Sequence, residues 1–401
     1  MQALAHRPVR RWRRAPVLLA LLVATLAQAG GEFVPTADMP APRALYGVAP
    51  LQDGRAVFVG GIADFGVILA EVEAYDPASD AFGSVGFALV ARMRPSVVAL
   101  QDGRVLIAGG RGGPKAEALA SAELFDPVSL TFTATGSLTE PHYEPAAALL
   151  DDGRVLIAGG YAGRDPIATA DVYDPATGTF TPTGNLNVAR IQSTGVTRLA
   201  DGRILVVGGW GAKLPLASAE IYDPATGAFS LAGEMPEGRA LHALVTLADG
   251  RVLVVGGSGE PGANGFPTYH PTALLYDPAT ETFTPTGDLA HPRDQAAAAL
   301  LPDGRVLVAG GSRIEGNPGS VAVPIAEIYD PASGTFSDAG KMLVPSYDAH
   351  PTTLADGSIL LAGGWQFAGE TVGDMPGASA ERFVPAVDDR VFADGFESSP
   401  R

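Results

Sequence analysis

Hydrophobic positions along this chain fall into short packets. Runs such as Val105-Leu106-Ile107-Ala108, Val155-Leu156-Ile157-Ala158 and Val252-Leu253-Val254-Val255 each end at Gly-Gly. Apolar runs this short, bounded by turn residues, predict buried strands and not helices. The packets recur. Asp-Gly stands at Asp53, Asp102, Asp152, Asp201, Asp249, Asp303 and Asp356, at spacings of 48 to 54 residues. Seven residues after each aspartate comes the first glycine of a pair: Gly60, Gly109, Gly159, Gly208, Gly256, Gly310 and Gly363. An aromatic-Asp-Pro triplet follows in six units, starting at Tyr75, Phe125, Tyr173, Tyr222, Tyr276 and Tyr329. Behind it stand Phe82, Phe132, Phe180, Phe229, Phe283 and Phe336; in the seventh unit the triplet has become Phe383-Val384-Pro385. A period near 50 residues marks a repeat architecture.

Each unit divides into four strands. Strand A is the small-residue run before Asp-Gly, as in Ala146 to Leu150. Asp-Gly is read as a tight hairpin with both positions at positive φ. Strand B is the apolar packet, strand C carries the aromatic-Asp-Pro triplet, and strand D follows with its Phe. Four antiparallel strands per unit describe a propeller blade. The expected fold class is therefore all-β, a seven-bladed β-propeller. Phe33-Val34-Pro35-Thr36 repeats the strand D pattern of Phe283-Thr284-Pro285-Thr286, while the seventh unit has no strand D of its own. The N-terminal strand should therefore complete the last blade and remove the open sheet edges.

Asp-Gly-Arg, Gly-Gly, Tyr and a large aromatic at this spacing resemble the Kelch-repeat β-propeller family of bacterial exported proteins, related in fold to the central domain of galactose oxidase. The resemblance spans roughly residues 33–385, with Phe where Kelch units usually carry Trp. It implies a binding module for a protein or glycan ligand, or a carbohydrate-active enzyme. Copper radical oxidases of this group need a cysteine joined to their tyrosine, and this chain has no Cys. The enzymatic alternative left is a sialic-acid epimerase-like mutarotase, with Glu140, Asp294 and Asp348 as candidate bases. The primary expectation is a non-enzymatic module with no cofactor and no metal.

Composition refines the picture at the ends of the chain. Arg7, Arg10, Arg11, Arg13 and Arg14 precede an apolar run, Ala15 to Ala27, and an Ala27-Gln28-Ala29 site, which reads as a secretory signal peptide over 1–29. That leaves a propeller over 30–386 and an acidic tail over 387–401. Removing 1–29 takes five of the 27 basic residues and none of the 44 acids, leaving 22 against 44, a net charge of −22. Such a chain repels phosphate backbones, so nucleic acid is not an expected partner. The mature protein is expected in the periplasm or secreted, without a transmembrane segment, as a monomer.

Residues repeated in every unit serve the blade, and residues peculiar to one unit are candidates for function. Gly-Gly allows close backbone approach, and the Asp of Asp-Pro should cap the following turn. A basic residue recurs about ten positions before Asp-Gly, at Arg43, Arg92, Arg190, Arg239 and Arg293, with His142 and Ser346 in the remaining two units. Either these arginines line one mouth of the ring and bind carboxylates, or each is bonded within its blade. Tyr161, Trp210 and Trp365 directly follow Gly-Gly, with Arg111, Arg164, Lys213 and Arg313 nearby, and could hold a sugar or a protein loop. The loops between strands B and C are longer in units five to seven, so 258–272, 312–325 and 365–378 are expected to form a lopsided recognition rim. The histidines show no metal-binding spacing.

Overall fold

The apolar packets become the second strand of each sheet. In blade three the order is Ala146–Leu149, Val155–Ala158, Ala170–Asp174 and Thr179–Pro182, all antiparallel. Val155–Ala158 is buried along its whole length, whereas Thr179–Pro182 is mostly exposed. A strand covered on both faces by neighbouring sheets reads as a continuous apolar run, which is why these packets do not alternate. The computed structural model describes residues 30–386 apart from 114, 192–194, 264, 315–319 and 368–373. The signal peptide assigned to 1–29 and the tail 387–401 thus lie outside the described residues.

Seven four-stranded antiparallel sheets form among the described residues, and the one helical element there is the three-residue 3-10 turn Asp64–Gly66. The N-terminal strand Gly31–Pro35 pairs with Ala380–Pro385 as the outer strand of the seventh sheet. Phe33 lies opposite Phe383 with ring centroids 5.1 Å apart. It thus takes the place that Phe82 holds against Tyr75, at 4.9 Å, in blade one.

One hydrogen bond per seam stitches the ring. The second glycine of each pair donates its N–H to the carbonyl of the slot residue, the one ten or so before Asp-Gly, in the next blade. The seven bonds are Gly61 to Arg92, Gly110 to His142, Gly160 to Arg190, Gly209 to Arg239, Gly257 to Arg293, Gly311 to Ser346 and Gly364 to Arg43, all between 2.8 and 3.0 Å. The last returns to the start of the chain and closes the circle. Glycine is required here: a Cβ on Gly60, at φ 64°, would lie 2.1 Å from the Arg92 carbonyl oxygen.

A second set of latches explains the aromatic-Asp-Pro tyrosines. Each ring is buried against the next sheet inward along the chain, and its hydroxyl meets a threonine three residues past the strand D Phe of the preceding blade. The pairs are Thr36–Tyr75, Thr135–Tyr173, Thr183–Tyr222 and Thr286–Tyr329, at 2.8 to 2.9 Å. Where the next blade carries Phe125 or Phe383, without a hydroxyl, the threonine is replaced by Val85 or Ala339. Blade five breaks the rule: Tyr276 faces a position occupied by Ala232, and among the described residues its buried hydroxyl has no partner.

The turns partly follow expectation. The Asp-Pro aspartates cap their turns: Asp76, Asp126, Asp174, Asp223, Asp277 and Asp330 each accept the N–H two residues on, at 2.8 to 2.9 Å. The Asp-Gly hairpins are corrected, because only the glycine has positive φ, as at Gly54 with 90°. Leu51 N–H bonds Arg55 O and Gly54 N–H bonds Leu51 O, which makes a three-residue loop ending in a left-handed glycine. Asp53 is free to accept the Arg55 N–H, and the Arg55 side chain folds back onto it at 2.7 Å.

Candidate functional site on the loop-rich face

The topology puts the Asp-Gly hairpins on one face of the ring, and the B-to-C loops and D-to-A segments on the other. The arginines of the D-to-A segments do not open onto that face. Arg43, Arg92, Arg190 and Arg293 are at most 1% exposed and Arg239 is 4% exposed. Arg190 donates to the carbonyls of Gly208 (2.8 Å) and Ser218 (3.0 Å) and forms an ion pair with Glu220 at 2.6 Å. Arg43–Glu73, Arg92–Glu123 and Arg293–Glu327 repeat the pair at 2.7 to 2.8 Å. Glu123, Glu220 and Glu327 in turn accept backbone N–H groups of the D-to-A segment, as Glu220 does from Asn187 and Val188. The expectation that the five arginines bind a ligand is therefore corrected: their guanidinium groups are buried and turn inward onto carbonyls and, in four blades, a glutamate, because a buried cation needs internal acceptors.

Three blades vary the rivet. In blade three His142 takes the slot, its Nδ1 2.7 Å from Gly159 O and its Nε2 3.9 Å from Asp171. In blade five the acid is replaced by Leu274, so Arg239 keeps only the carbonyls of Gly256 and Thr272, and burial lowers its pKa to about 10. In blade seven Ser346 takes the slot and Glu381 is left with the N–H groups of Leu343 and Val344; burial raises its pKa.

The residue two past the slot turns toward the axis with left-handed backbone in every blade where it is described: Leu45, Arg94, Glu144, Leu241, Gln295 and Asp348, at φ between 46° and 58°. These six non-glycine residues at positive φ repeat from blade to blade, and backbone bonds such as Arg94 N–H to Leu45 O and Gln295 N–H to Leu241 O link neighbours among them. Arg94 reaches across the channel from blade two, 2.6 Å from Glu144 of blade three and 2.9 Å from Asp348 of blade seven. Burial works against its charge, but Asp348 and Glu144 outweigh that and raise its pKa. Beneath this bridge lie two cavities of about 220 and 210 Å³, both lined by His350.

Beside the bridge, one position after the slot, Asp294 is buried and accepts the Ser312 hydroxyl at 2.8 Å. Burial pushes its pKa up to about 6, the hydroxyl opposing. Tyr347 stacks on Trp365 at 6.5 Å. Two of the three candidate bases, Asp294 and Asp348, thus stand at the channel mouth. Glu140 sits in the segment before His142, apart from that mouth.

A larger opening on this face lies elsewhere. A cleft of about 680 Å³ runs between the B-to-C loops of blades two and three. Tyr143 and Tyr161 stack along it, centroids 6.3 Å apart and 18° from parallel, and their backbones bridge. Arg111, Lys115 and Arg164 line it, all exposed, with Glu117 as the one acid of its lining. Lys115 and Tyr143 are members that sequence reasoning passed over; Tyr143 follows the His142 slot, which was a usable signal. The long loops of blades five to seven fold instead into small hairpins, Ser258–Pro261 with Pro267–Tyr269, Ser312–Ile314 with Ser320–Ala322, and Trp365–Phe367 with Asp374–Pro376. A second cleft, of about 580 Å³, adjoins the first of these hairpins and holds His270 3.2 Å from Glu237. The exposed cations Arg111, Lys115 and Arg164 thus gather on the short-loop side, away from these hairpins. Trp210 pairs by backbone with Ile191 and joins neither cleft.

The Kelch motif matches residues 144–187 and 199–236, blades three and four of the ring. The ring thus carries Kelch motifs in two of its blades, and its fold is that of a Kelch-type β-propeller. The fold is also that of a fungal alcohol oxidase of the AA5 family in complex with copper, with a TM-score of 0.70 and 18% identity over 88% of this chain and 76% of that one. YjhT aligns with a TM-score of 0.58 and 13% identity, over 76% of this chain and 99% of its own. At these identities the likeness is one of fold. No curated protein matches the sequence. A copper centre does not fit this Kelch propeller: it has no Cys, and among the described residues no three of His, Cys, Asp or Glu converge as ligands. Among those residues, too, no helix is long and apolar enough to cross a membrane.

Proposed function

We propose that this protein is an exported, non-enzymatic binding module that holds a protein or glycan ligand on its loop-rich face, in the cleft between blades two and three. The observation that carries the reading is the cleft itself. Two stacked tyrosines and three exposed cations converge on a concavity of ligand size, on a rigid ring whose other arginines are internally bonded. The Kelch fold is suited to such use, since loops on a closed scaffold can vary without loss of the core. Export rests on the 1–29 segment and is checked by N-terminal sequencing of the protein recovered outside the cytoplasm.

The test is thermal shift of residues 30–401 against neutral sugars, acidic sugars and polypeptides, in parallel with Tyr161→Ala. A ligand at a hundred times its Kd raises stability by about 2.7 kcal/mol. A shift that Tyr161→Ala removes supports the site; a shift unchanged in that variant moves binding off this cleft.

A second reading, acid–base chemistry on a bound sugar in the manner of a mutarotase, is favoured by one observation. Asp294, with its pKa at about 6, could exchange a proton near neutrality. Anomer exchange of a sialic acid followed by NMR, lost in Asp294→Asn, would support it; exchange at the uncatalysed rate would remove it.

A further inference from the structure

The cleft between blades two and three has a chemistry specific enough to name the class of its occupant. We infer that it takes a carboxylate-bearing oligosaccharide, an inference that rests on the cleft being the binding site. Three observations converge.

The first is charge. With 1–29 removed the chain carries 22 basic against 44 acidic residues, and five of its arginines are buried in the blades. Arg111, Lys115 and Arg164 nevertheless all line one cleft, where Glu117 is the single acid of the lining; Asp165 stands near Tyr161, and Glu144, near both tyrosines, is paired with Arg94. A local excess of cations on a strongly acidic molecule draws an anion to that place and not to the rest of the surface. The two arginines match a carboxylate fork by fork.

The second is the aromatic wall. Tyr143 and Tyr161 lie nearly parallel, and both are half-exposed. Tyr143 also lies within electrostatic range of both Arg94 and Arg111. The stack therefore runs from the outer cations to the Arg94 bridge over the channel, and an extended ligand would pass along it from rim to axis.

The third distinguishes saccharide from peptide. Apart from the two tyrosines, the apolar lining is Ala116, Ala118, Pro141 and Ala162. A protein partner draws most of its affinity from a large side chain seated in a desolvated pocket, and a wall of alanines offers no such pocket. Flat aromatic faces with fork-shaped donors suit a ring that carries a carboxylate.

The experiment compares three probes on residues 30–401 by calorimetry: a short oligogalacturonate, the same oligomer with every carboxyl methyl-esterified, and a poly-glutamate peptide of similar charge. The free acid should bind roughly tenfold or more tighter than its ester, because each charge-assisted bond is worth about that factor. Its affinity should fall as salt rises from 0.05 to 0.5 M, since the exposed cations are screened over about 10 Å at 0.1 M. Arg111→Gln/Arg164→Gln should erase the preference for acid over ester with the melting temperature little changed, because both side chains are exposed and the one backbone bond lost, Arg111 Nε to Ala116 O, lies in a surface loop. Equal binding of acid and ester, lost in Tyr161→Ala, would overturn the carboxylate inference and leave the binding site standing. Tighter binding of poly-glutamate would overturn the saccharide class. Binding of none of the three overturns the inference, and the site then stands or falls on the wider panel above.

Discussion

Replacing Arg190 by Ser converts blade four into a copy of the rivet that blade seven already has, and so gives a measurable value for a buried pair. Arg190 supplies hydrogen bonds to Gly208 O, Ser218 O and Glu220. Its loss leaves Glu220 buried, held only by the N–H groups of Asn187 and Val188 and the Asn187 amide. Removing one partner of a buried pair costs about 3–5 kcal/mol; the remaining N–H donors place this case at the lower end, about 3 kcal/mol. Glu220→Leu copies blade five, where Arg239 survives beside Leu274 on carbonyl bonds alone. The double variant should cost less than the two singles added, with a coupling of about 1.5–3 kcal/mol, the value of a charged hydrogen bond. Urea unfolding followed by fluorescence reads it conveniently, since Trp210 lies in blade four and Trp365 in blade seven, and the third Trp is in the segment removed with 1–29. There is also a pH signature. Without Arg190 the Glu220 carboxyl should resemble Glu381, whose pKa burial raises. A raised folded pKa means a cost that is full above that pKa and fades as pH falls toward the unfolded value near 4.3. The Arg190→Ser deficit should therefore shrink as the pH is lowered toward that unfolded value. A deficit under about 1 kcal/mol, or strict additivity in the double variant, would refute the account of these arginines as structural rivets.

Three further outcomes follow from the same geometry. Ala232→Thr should give the Tyr276 hydroxyl the partner that its counterparts have and raise stability by about 1 kcal/mol in urea unfolding; no gain would mean that the latch does not hold the seam. Asp294→Asn should stabilise the protein at pH 8, by at most about 3 kcal/mol, because a folded pKa of about 6 against an unfolded value near 3.9 is a cost that is present above pH 6 and lost as pH falls toward 4; a gain that persists at pH 4 would assign it to some cause other than the carboxylate. Deleting residues 30–40 removes the outer strand of blade seven and strands the edge of Ala380–Pro385, so the variant should melt well below the full ring and aggregate; an unchanged melting curve would refute closure.

Nearly all of the ring was legible in the sequence, and the reason is repetition. Seven registers of Asp-Gly and Gly-Gly identify the strands, and the match of Phe33-Val34-Pro35-Thr36 to Phe283-Thr284-Pro285-Thr286 locates the closing strand without any knowledge of the coordinates. The candidate site was legible only in part. Tyr161, Arg111 and Arg164 stood out as residues peculiar to one blade, but that they share a cleft with Tyr143 and Lys115 depends on how two adjacent loops lean, which no periodicity encodes. The arginines illustrate the opposite limit. A repeated charge ten residues before Asp-Gly suits a ligand ring and a set of internal rivets equally well; the strand C glutamates at Glu73, Glu123, Glu220 and Glu327 were the deciding signal. Each lies two residues before an aromatic-Asp-Pro triplet, and reading slot and strand C together would have paired them.

That same joint reading makes blade five the exception that tests the rule. Its Leu274 abolishes the acid of the rivet, and the Ala232 before it abolishes the latch to Tyr276. Both losses fall on blade five and its seam with blade four, and the second leaves the buried hydroxyl of Tyr276 without a partner among the described residues. The first of the longer B-to-C hairpins, Ser258–Pro261 with Pro267–Tyr269, rises from this blade, and Pro236 stands where blades two, three, four, six and seven offer an N–H to the acid; blade one has Pro40 there and keeps Glu73. Glu73 survives beside Pro40 on its pair with Arg43, so Pro236 does not by itself account for Leu274. Seam energies in a closed ring of repeats combine through nearest neighbours, so the weakest seam sets where the ring first opens. Hydrogen exchange should therefore be fastest, among the inner strands, at Ala243–Thr246 and Val252–Val255, and Ala232→Thr should slow it there while leaving blade two, with its Phe125 and Val85, unchanged.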